Sequence, residues 1–265
     1  MKRRLRFSAA SYGPLADNQP HRFAMERALR IYRSNAIYSF IPKNACSTMR
    51  LSLALENGCI DDVRDYECIH ENNKTFASDL DHLITANYSF VILRCPFARL
   101  ASVYLDKVVG REPAGHKFAR MAGEQGGVEE VTFDAFVRAM RNPEVKRGNV
   151  HWRPQGDFLV YKEYDDYFSV EEFPRAVRTL RAKIDLHIHD ARGLTNHGLD
   201  KHELVDGDDF SALSAETIRA MKHSGRSPRP RCLYNDELHS IVNEAYAEDI
   251  ALYIDLFGPK SLMFA

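Results

Sequence analysis

The stretch "YSFVILR", Tyr88 to Arg94, constrains the fold more than any other part of the chain. It is a nearly unbroken apolar run of β-formers, too short for a helix of its own. A strand without polar alternation is buried on both faces, as in a parallel sheet covered by helices. Pro96 follows at a helix start, and Leu100, Val103, Tyr104 and Lys107 continue at helical spacing. "AIYSFI", Ala36 to Ile41, repeats the arrangement. A polar turn, "PKNACST", leads there into Met49, Leu51, Leu53 and Leu55, with a helix stop at Asn57-Gly58. The expected class is α/β, a parallel β-sheet flanked by helices.

The other elements are read from weaker patterns. Short helices are expected at Phe23–Tyr32, Thr132–Met140 and Glu171–Lys183, and a long amphipathic one at Asp236–Phe257. Further strands are expected at Tyr66–His70 and Ile184–His189. Residues 1–35 read as an N-terminal extension and 36–265 as one domain, with loop insertions near 110–127 and 191–210.

Composition removes several function classes. A net charge of −1 provides no general field for nucleic acid or a membrane surface, so anion binding must come from local clusters. Two exist, "KRRLR" at Lys2–Arg6, which reads as a solvated tail, and "KHSGRSPRPR" at Lys222–Arg231. Five cysteines with no CxxC pair argue against a disulfide framework or a zinc site and fit reduced thiols in a cytoplasmic compartment. No apolar run is long enough to span a membrane, and the basic N-terminus lacks the apolar block of a signal peptide.

Chemistry concentrates in the two turns. In the first, Asn44, Ala45 and Cys46 are small enough for a ligand to approach the backbone. Ser47 and Thr48 supply hydroxyls where the N–H groups of the next helix are unpaired. Lys43 adds a positive charge able to bridge a phosphate and a leaving oxygen. Read alone, the turn is equally an ordinary strand-to-helix connection capped by Ser47. In the second, Arg94 ends the strongest strand, placed for a bidentate phosphate contact, and Ser102 follows two turns into the helix. Two such turns imply a ligand with two separate phosphate groups.

"PKNACSTMR" together with "VILRCPFARLASVY" resembles the nucleotide signatures of sulfotransferases that use 3′-phosphoadenosine 5′-phosphosulfate (PAPS). The likeness is greatest to the carbohydrate sulfotransferases of the chondroitin, dermatan and HNK-1 type. "NVHWRPQ" (149–155), "YDDYFSVEEF" (164–173) and the C-terminal "LYNDELHSIVNEAYAEDIALY" are also similar to segments of that family. The resemblance implies the P-loop-like nucleotide-binding sulfotransferase fold, PAPS as donor and no metal. It also implies an acceptor hydroxyl, on a saccharide. Lys43 would meet the 5′-phosphate and the departing oxygen, and Asn44, Ala45, Cys46, Ser47 and Thr48 the phosphosulfate end. Arg94 and Ser102 would hold the 3′-phosphate, with Arg99 either assisting or in a surface ion pair, and the Arg226–Arg231 cluster closing over it. Two cysteines usual near the family's His-Trp-Arg-Pro-Gln segment are replaced around Phe158, Leu159 and Val160, which puts an animal glycosaminoglycan substrate in doubt.

In-line sulfuryl transfer needs a base for the attacking hydroxyl, and histidine is suited to that by its pKa. His70, placed between the two nucleotide turns as the family's catalytic histidine is, is the choice among His82, His151 and the carboxylate of Glu71. His151, Trp152, Arg153 and Gln155 are candidate acceptor contacts, with a buried structural role the alternative for Trp152 and an orienting role open to Glu171. Two rival readings stand beside the transferase: a P-loop nucleotide kinase, against which the missing GxxxxGK[ST] counts, and a nonenzymatic nucleotide-binding protein.

Overall fold

In chain order the elements are α1 (Gln19–Met25), β1 (Ala28–Ile31), β2 (Ala36–Ser39), α2 (Cys46–Glu56), α3 (Cys68–Glu71), α4 (Leu80–Thr85) and β3 (Tyr88–Leu93). Next come α5 (Pro96–Val103), α6 (Pro113–Ala122), α7 (Phe133–Ala139), α8 (Pro143–Arg147), β4 (Asp166–Ser169) and α9 (Phe173–Ile184). The last are β5 (Glu203–Val205), α10 (Ala215–His223), β6 (Arg226–Pro228), α11 (Asp236–Ala245) and α12 (Ala247–Phe257). The computed structural model describes residues 3–8, 13–72, 75–194, 201–207 and 209–265. The chain divides into two units, Met1–Arg94 with Gln155–Asn196, and Cys95–Pro154 with His197–Ala265.

The first unit is an α/β layer. Its sheet has the order β1-β2-β3-β4, with β2, β3 and β4 parallel and β1 antiparallel at the edge. All six residues of β3 are buried, as the apolar run requires. Ala36, Tyr38, Phe90 and Ile92 face one side, against Met49, Leu51 and Leu53 of α2 and Ala176 and Leu180 of α9. Side chains alternate along a strand, so Ile37, Val91 and Leu93, also buried, line the other side. Each such aliphatic side chain contributes about 1.5–3 kcal/mol by leaving water. Ser39 of β2 pairs with Val91 of β3, so the turns that follow the two strands leave the sheet from the same edge.

Several expectations change in this unit. The segment at Phe23–Tyr32 is not one helix: α1 ends at Met25 and Ala28–Ile31 is the edge strand. Tyr66–His70 is not a strand, because β1 and β3 already occupy both sides of β2, and its residues turn into α3 instead. Ile184–His189 forms no ladder either. Leu186 is buried in the α2–α9 core, while the His189 N–H donates to Ser52 Oγ and the Ala191 N–H to Thr48 Oγ1. The β4 strand at Asp166–Ser169 takes the sheet position instead. The basic N-terminus is no solvated tail at Arg3, whose side chain is 4% exposed, lies 2.6 Å from Asp165 and donates to Ser89 Oγ.

The second unit is mainly helical around an aromatic core. Pro96 opens α5 as expected, and after Val103 the helix widens into a π-turn over Tyr104–Val108. Trp152 meets Phe118 and Phe136 edge-on, with centroids 5.8 and 6.0 Å apart, and Tyr234 packs against Phe97 and Phe133. The expected insertion at 110–127 contains a ten-residue helix, α6, whose Pro113 and Gly123 (φ 75°) are its start and stop. The long C-terminal helix is two. Tyr246 breaks it at φ −120°, and its buried hydroxyl donates to the Trp152 carbonyl at 2.7 Å. Part of the expected loop at 191–210 lies outside the described residues, and Glu203–Val205 pairs in parallel with Arg226–Pro228.

Candidate functional site

The turn after β2 is built without a glycine. Lys43 and Ala45 both adopt left-handed backbone, with φ of 70° and 55°, a conformation that costs a residue bearing Cβ roughly 1–2 kcal/mol. Asn44 between them is fully buried. Its Nδ2 donates to the Ile92 carbonyl at 2.9 Å and to Gln155 Oε1 at 2.6 Å. Ala45 is the N-cap of α2 and offers no capping side chain, so the first-turn N–H groups at Cys46, Ser47 and Thr48 point into the turn. With eleven residues, α2 is long enough for its dipole to favour an anion there.

The loop's hydroxyls have different neighbours. Thr48 is buried and its Oγ1 accepts from the Ala191 N–H at 3.2 Å, which makes it a strut between α2 and the segment after α9. Ser47 is half-buried and its side chain is hydrogen-bonded to the hydroxyl of Tyr66. Burial raises the Tyr66 phenol above its usual range, and the Ser47 bond works against that. Tyr66 was not singled out from the sequence, where it belonged to an expected strand.

Arg50 was also missed, although it closes the quoted "PKNACSTMR" one turn after Cys46. Burial draws its guanidinium below the usual range, with the Cys46 thiol and the phenols of Tyr38 and Tyr66 acting in the opposite sense. It lies over the Phe40 ring, 5.5 Å from the centroid. Among the described residues, Arg50 Nη2 and the Tyr38 hydroxyl are buried without a hydrogen-bond partner. A buried cation with no carboxylate beside it is an unusual expense for a fold, and it suits a place that receives an anion.

Arg94 follows β3 directly. Its Nη1 donates to the Lys43 carbonyl at 3.1 Å, its N–H donates to Gln155 Oε1 at 3.0 Å, and its carbonyl accepts from Gln155 Nε2 at 2.9 Å. The structure therefore brings Lys43, Asn44, Arg94 and Gln155 together within the first unit. His70 belongs to α3 of the same unit, in a helical stretch that Tyr66 begins.

The remaining candidates belong to the second unit. Ser102 is half-buried on α5. Arg99 is not in a surface ion pair but 2% exposed, and its guanidinium donates to the carbonyls of Arg153 (2.8 Å) and Val150 (3.4 Å). Trp152 is fully buried and its Nε1 donates to the Val145 carbonyl at 2.8 Å, so it has no free face for a sugar. His151 and Arg153 are half-buried, with His151 Nδ1 2.8 Å from Asn149 Oδ1. In the basic cluster, Arg229 is paired with Asp206 and Lys222 Nζ donates to the Leu105 carbonyl.

A parallel sheet with two anion-type turns on neighbouring strands, one carrying a lysine at a helix N-terminus and the other an arginine, defines an α/β group-transfer protein for phosphate-bearing ligands. Residues 28–253 match the model of the sulfotransferase family, and the chain belongs to that family. It is 28% identical over 143 residues to Carbohydrate sulfotransferase 14 of Homo sapiens, a match covering 46% of this chain and 36% of that protein. The protein of the same name from Danio rerio is 27% identical over 139 residues, covering 44% of this chain and 36% of the relative. The match thus spans little more than a third of these relatives' length. No solved structure matches. Among the described residues no helix is long and apolar enough to cross a membrane.

Proposed function

We propose that the chain transfers the sulfuryl group of PAPS to a hydroxyl of a saccharide. The observation that carries this reading is the pair of turns on β2 and β3, tied by the Arg94–Lys43 contact, in a chain of the sulfotransferase family. PAPS would fit the first turn on physical grounds: small residues, α2 amides and the unpartnered Arg50 nitrogen all favour an oxyanion. When bound, it supplies a sulfur electrophile on a phosphate leaving group.

In this reading Lys43 balances charge on the departing oxygen, a term that preorganised donors make large in a site shielded from water. The backbone from Asn44 to Thr48 and the Ser47 hydroxyl hold the phosphosulfate end. Arg94 and Ser102 hold the 3′-phosphate. His70 takes the proton of the acceptor hydroxyl as its oxygen attacks sulfur. What supports His70 is its place four residues after Tyr66, whose hydroxyl is bonded to Ser47 of the donor loop. His151 and Arg153 remain as acceptor contacts, and the carbohydrate in the relatives' name points to a saccharide.

The test is to incubate the protein with isotopically labelled PAPS and a panel of saccharides, lipids and small alcohols, then follow label into product. Label in a saccharide is the expected result. Phosphoryl transfer from ATP with magnesium, and none from PAPS, would establish the kinase instead. Tight nucleotide binding with no transfer to any acceptor would leave a binding protein.

A further inference from the structure

Phosphate-binding loops usually enter left-handed backbone through glycine, which does so without steric cost. This loop does it at Lys43 and Ala45, so something outside the loop must hold it there. Asn44, between the two strained residues, is the point of attachment. Both hydrogens of its amide are committed, one to the Ile92 carbonyl and one to Gln155 Oε1.

Gln155 is itself fixed. The Arg94 N–H demands an acceptor and the Arg94 carbonyl demands a donor, so the backbone of one residue decides which end of the Gln155 amide is oxygen. That oxygen then receives Asn44 as well. Only a neutral side chain with one acceptor and one donor on the same carbon satisfies all three partners. Gln155 is 2% exposed, so its amide is spent on the protein and has no surface left for an acceptor.

We infer that Gln155 is a positioning residue of the donor site: it holds the glycine-free loop in its left-handed form and sets the separation of Lys43 from Arg94. It acts through Asn44 and the Arg94 backbone. This rests on the reading of the loop as the PAPS site.

Gln155→Glu tests it. A protonated glutamic acid reproduces the pattern, its carbonyl accepting and its O–H donating to the Arg94 carbonyl. An ionised one has no donor and sets a negative charge against that carbonyl. Burial raises the carboxyl's pKa above its usual ~4.3, so the neutral form persists to higher pH and is lost as pH rises through the raised value. The donor KM of the variant should be within about threefold of the parent near pH 5.5 and at least about tenfold higher near pH 8, with the acceptor KM unchanged. Gln155→Ala should raise the donor KM about tenfold or more at every pH. Amide hydrogen exchange at residues 43–48 should quicken about tenfold in Gln155→Glu near pH 8 relative to the parent, a readout that needs no turnover.

An unchanged donor KM in both variants, a defect in Gln155→Glu independent of pH, or a change confined to the acceptor KM overturns the positioning role. If the parent itself shows no turnover of PAPS, the sulfotransfer reading fails. Exchange at residues 43–48 then decides the role of Gln155 alone: pH-dependent quickening upholds it and parent-like exchange overturns it. If Gln155→Ala does not fold, Gln155→Glu at low pH still gives the comparison.

Discussion

Arg94 donates to the carbonyl oxygen of Lys43 at 3.1 Å, across a separation of 51 residues in sequence. The arginine of the second turn thus supports the first turn as well as being a candidate phosphate ligand. Lysine could supply the charge but not the planar fork that spans a backbone oxygen and a second partner. Arg94→Lys should therefore weaken binding of adenosine 3′,5′-bisphosphate by at least about tenfold, and Arg94→Ala by more, in a calorimetric titration. Affinity retained in Arg94→Ala would remove both roles.

Lys43 and His70 should separate kinetically. Lys43→Ala loses charge stabilisation that develops with the leaving group, so kcat should fall about 100- to 1000-fold. His70→Ala should also lose turnover, by about 100-fold or more, while the affinity for the desulfonated nucleotide stays within about twofold. Steady-state kinetics paired with calorimetry distinguishes the outcomes. Collapse of nucleotide binding in His70→Ala would reassign the residue to the fold or to the nucleotide.

Trp152 should behave as core. Replacing it by alanine removes an indole enclosed by Phe118 and Phe136 and orphans the Val145 carbonyl. The expected loss of stability is about 3–5 kcal/mol by urea denaturation. A stable Trp152→Ala protein that had lost only saccharide affinity would return the ring to the acceptor site.

Asp165 gives stability a dependence on acid. Burial would raise its pKa, but the bonds from Arg3 and Ser89 outweigh burial and hold the carboxyl below its usual range. A depressed carboxylate contributes stability above its unfolded value of ~3.9 and loses it as pH falls through the lower, folded value. Melting temperature should thus fall as pH drops below about 4, with Arg3→Ala showing a smaller slope there. At neutral pH, Arg3→Ala should cost about 2 kcal/mol, less than for a fully enclosed pair because Asp165 is 24% exposed. Equal slopes for parent and variant would contradict the assignment.

What could be read in advance followed from hydrophobic pattern. The unbroken runs before Lys43 and Arg94 specified β2 and β3, and Pro96 specified the start of α5. Failure came where pattern reports burial and not pairing. Ile184, Leu186 and Ile188 alternate like a strand because one side faces the core, yet nearby N–H groups go to hydroxyls of α2. In the reverse case β4 was invisible, since Asp166 and Tyr167 are only partly buried at the sheet's edge. Around the candidate site, the lysine, small residues and arginine were legible as types. That Gln155 joins them was not, because its partners lie 61 and 111 residues away.

The π-turn at Tyr104–Val108 has a consequence for how length changes are tolerated. The Val109 N–H reaches back five residues to the Tyr104 carbonyl, one more than an α-helix uses. The helix thus carries a surplus residue, and deleting one position there would let the coil close into regular α-helix. Everything downstream would then be turned by roughly 100° about the helix axis, the angle one residue subtends. Gly115 could no longer be set against the Lys107 carbonyl, where a Cβ would come within 2.2 Å. At this point the number of residues, more than their chemistry, sets the direction in which the second unit continues.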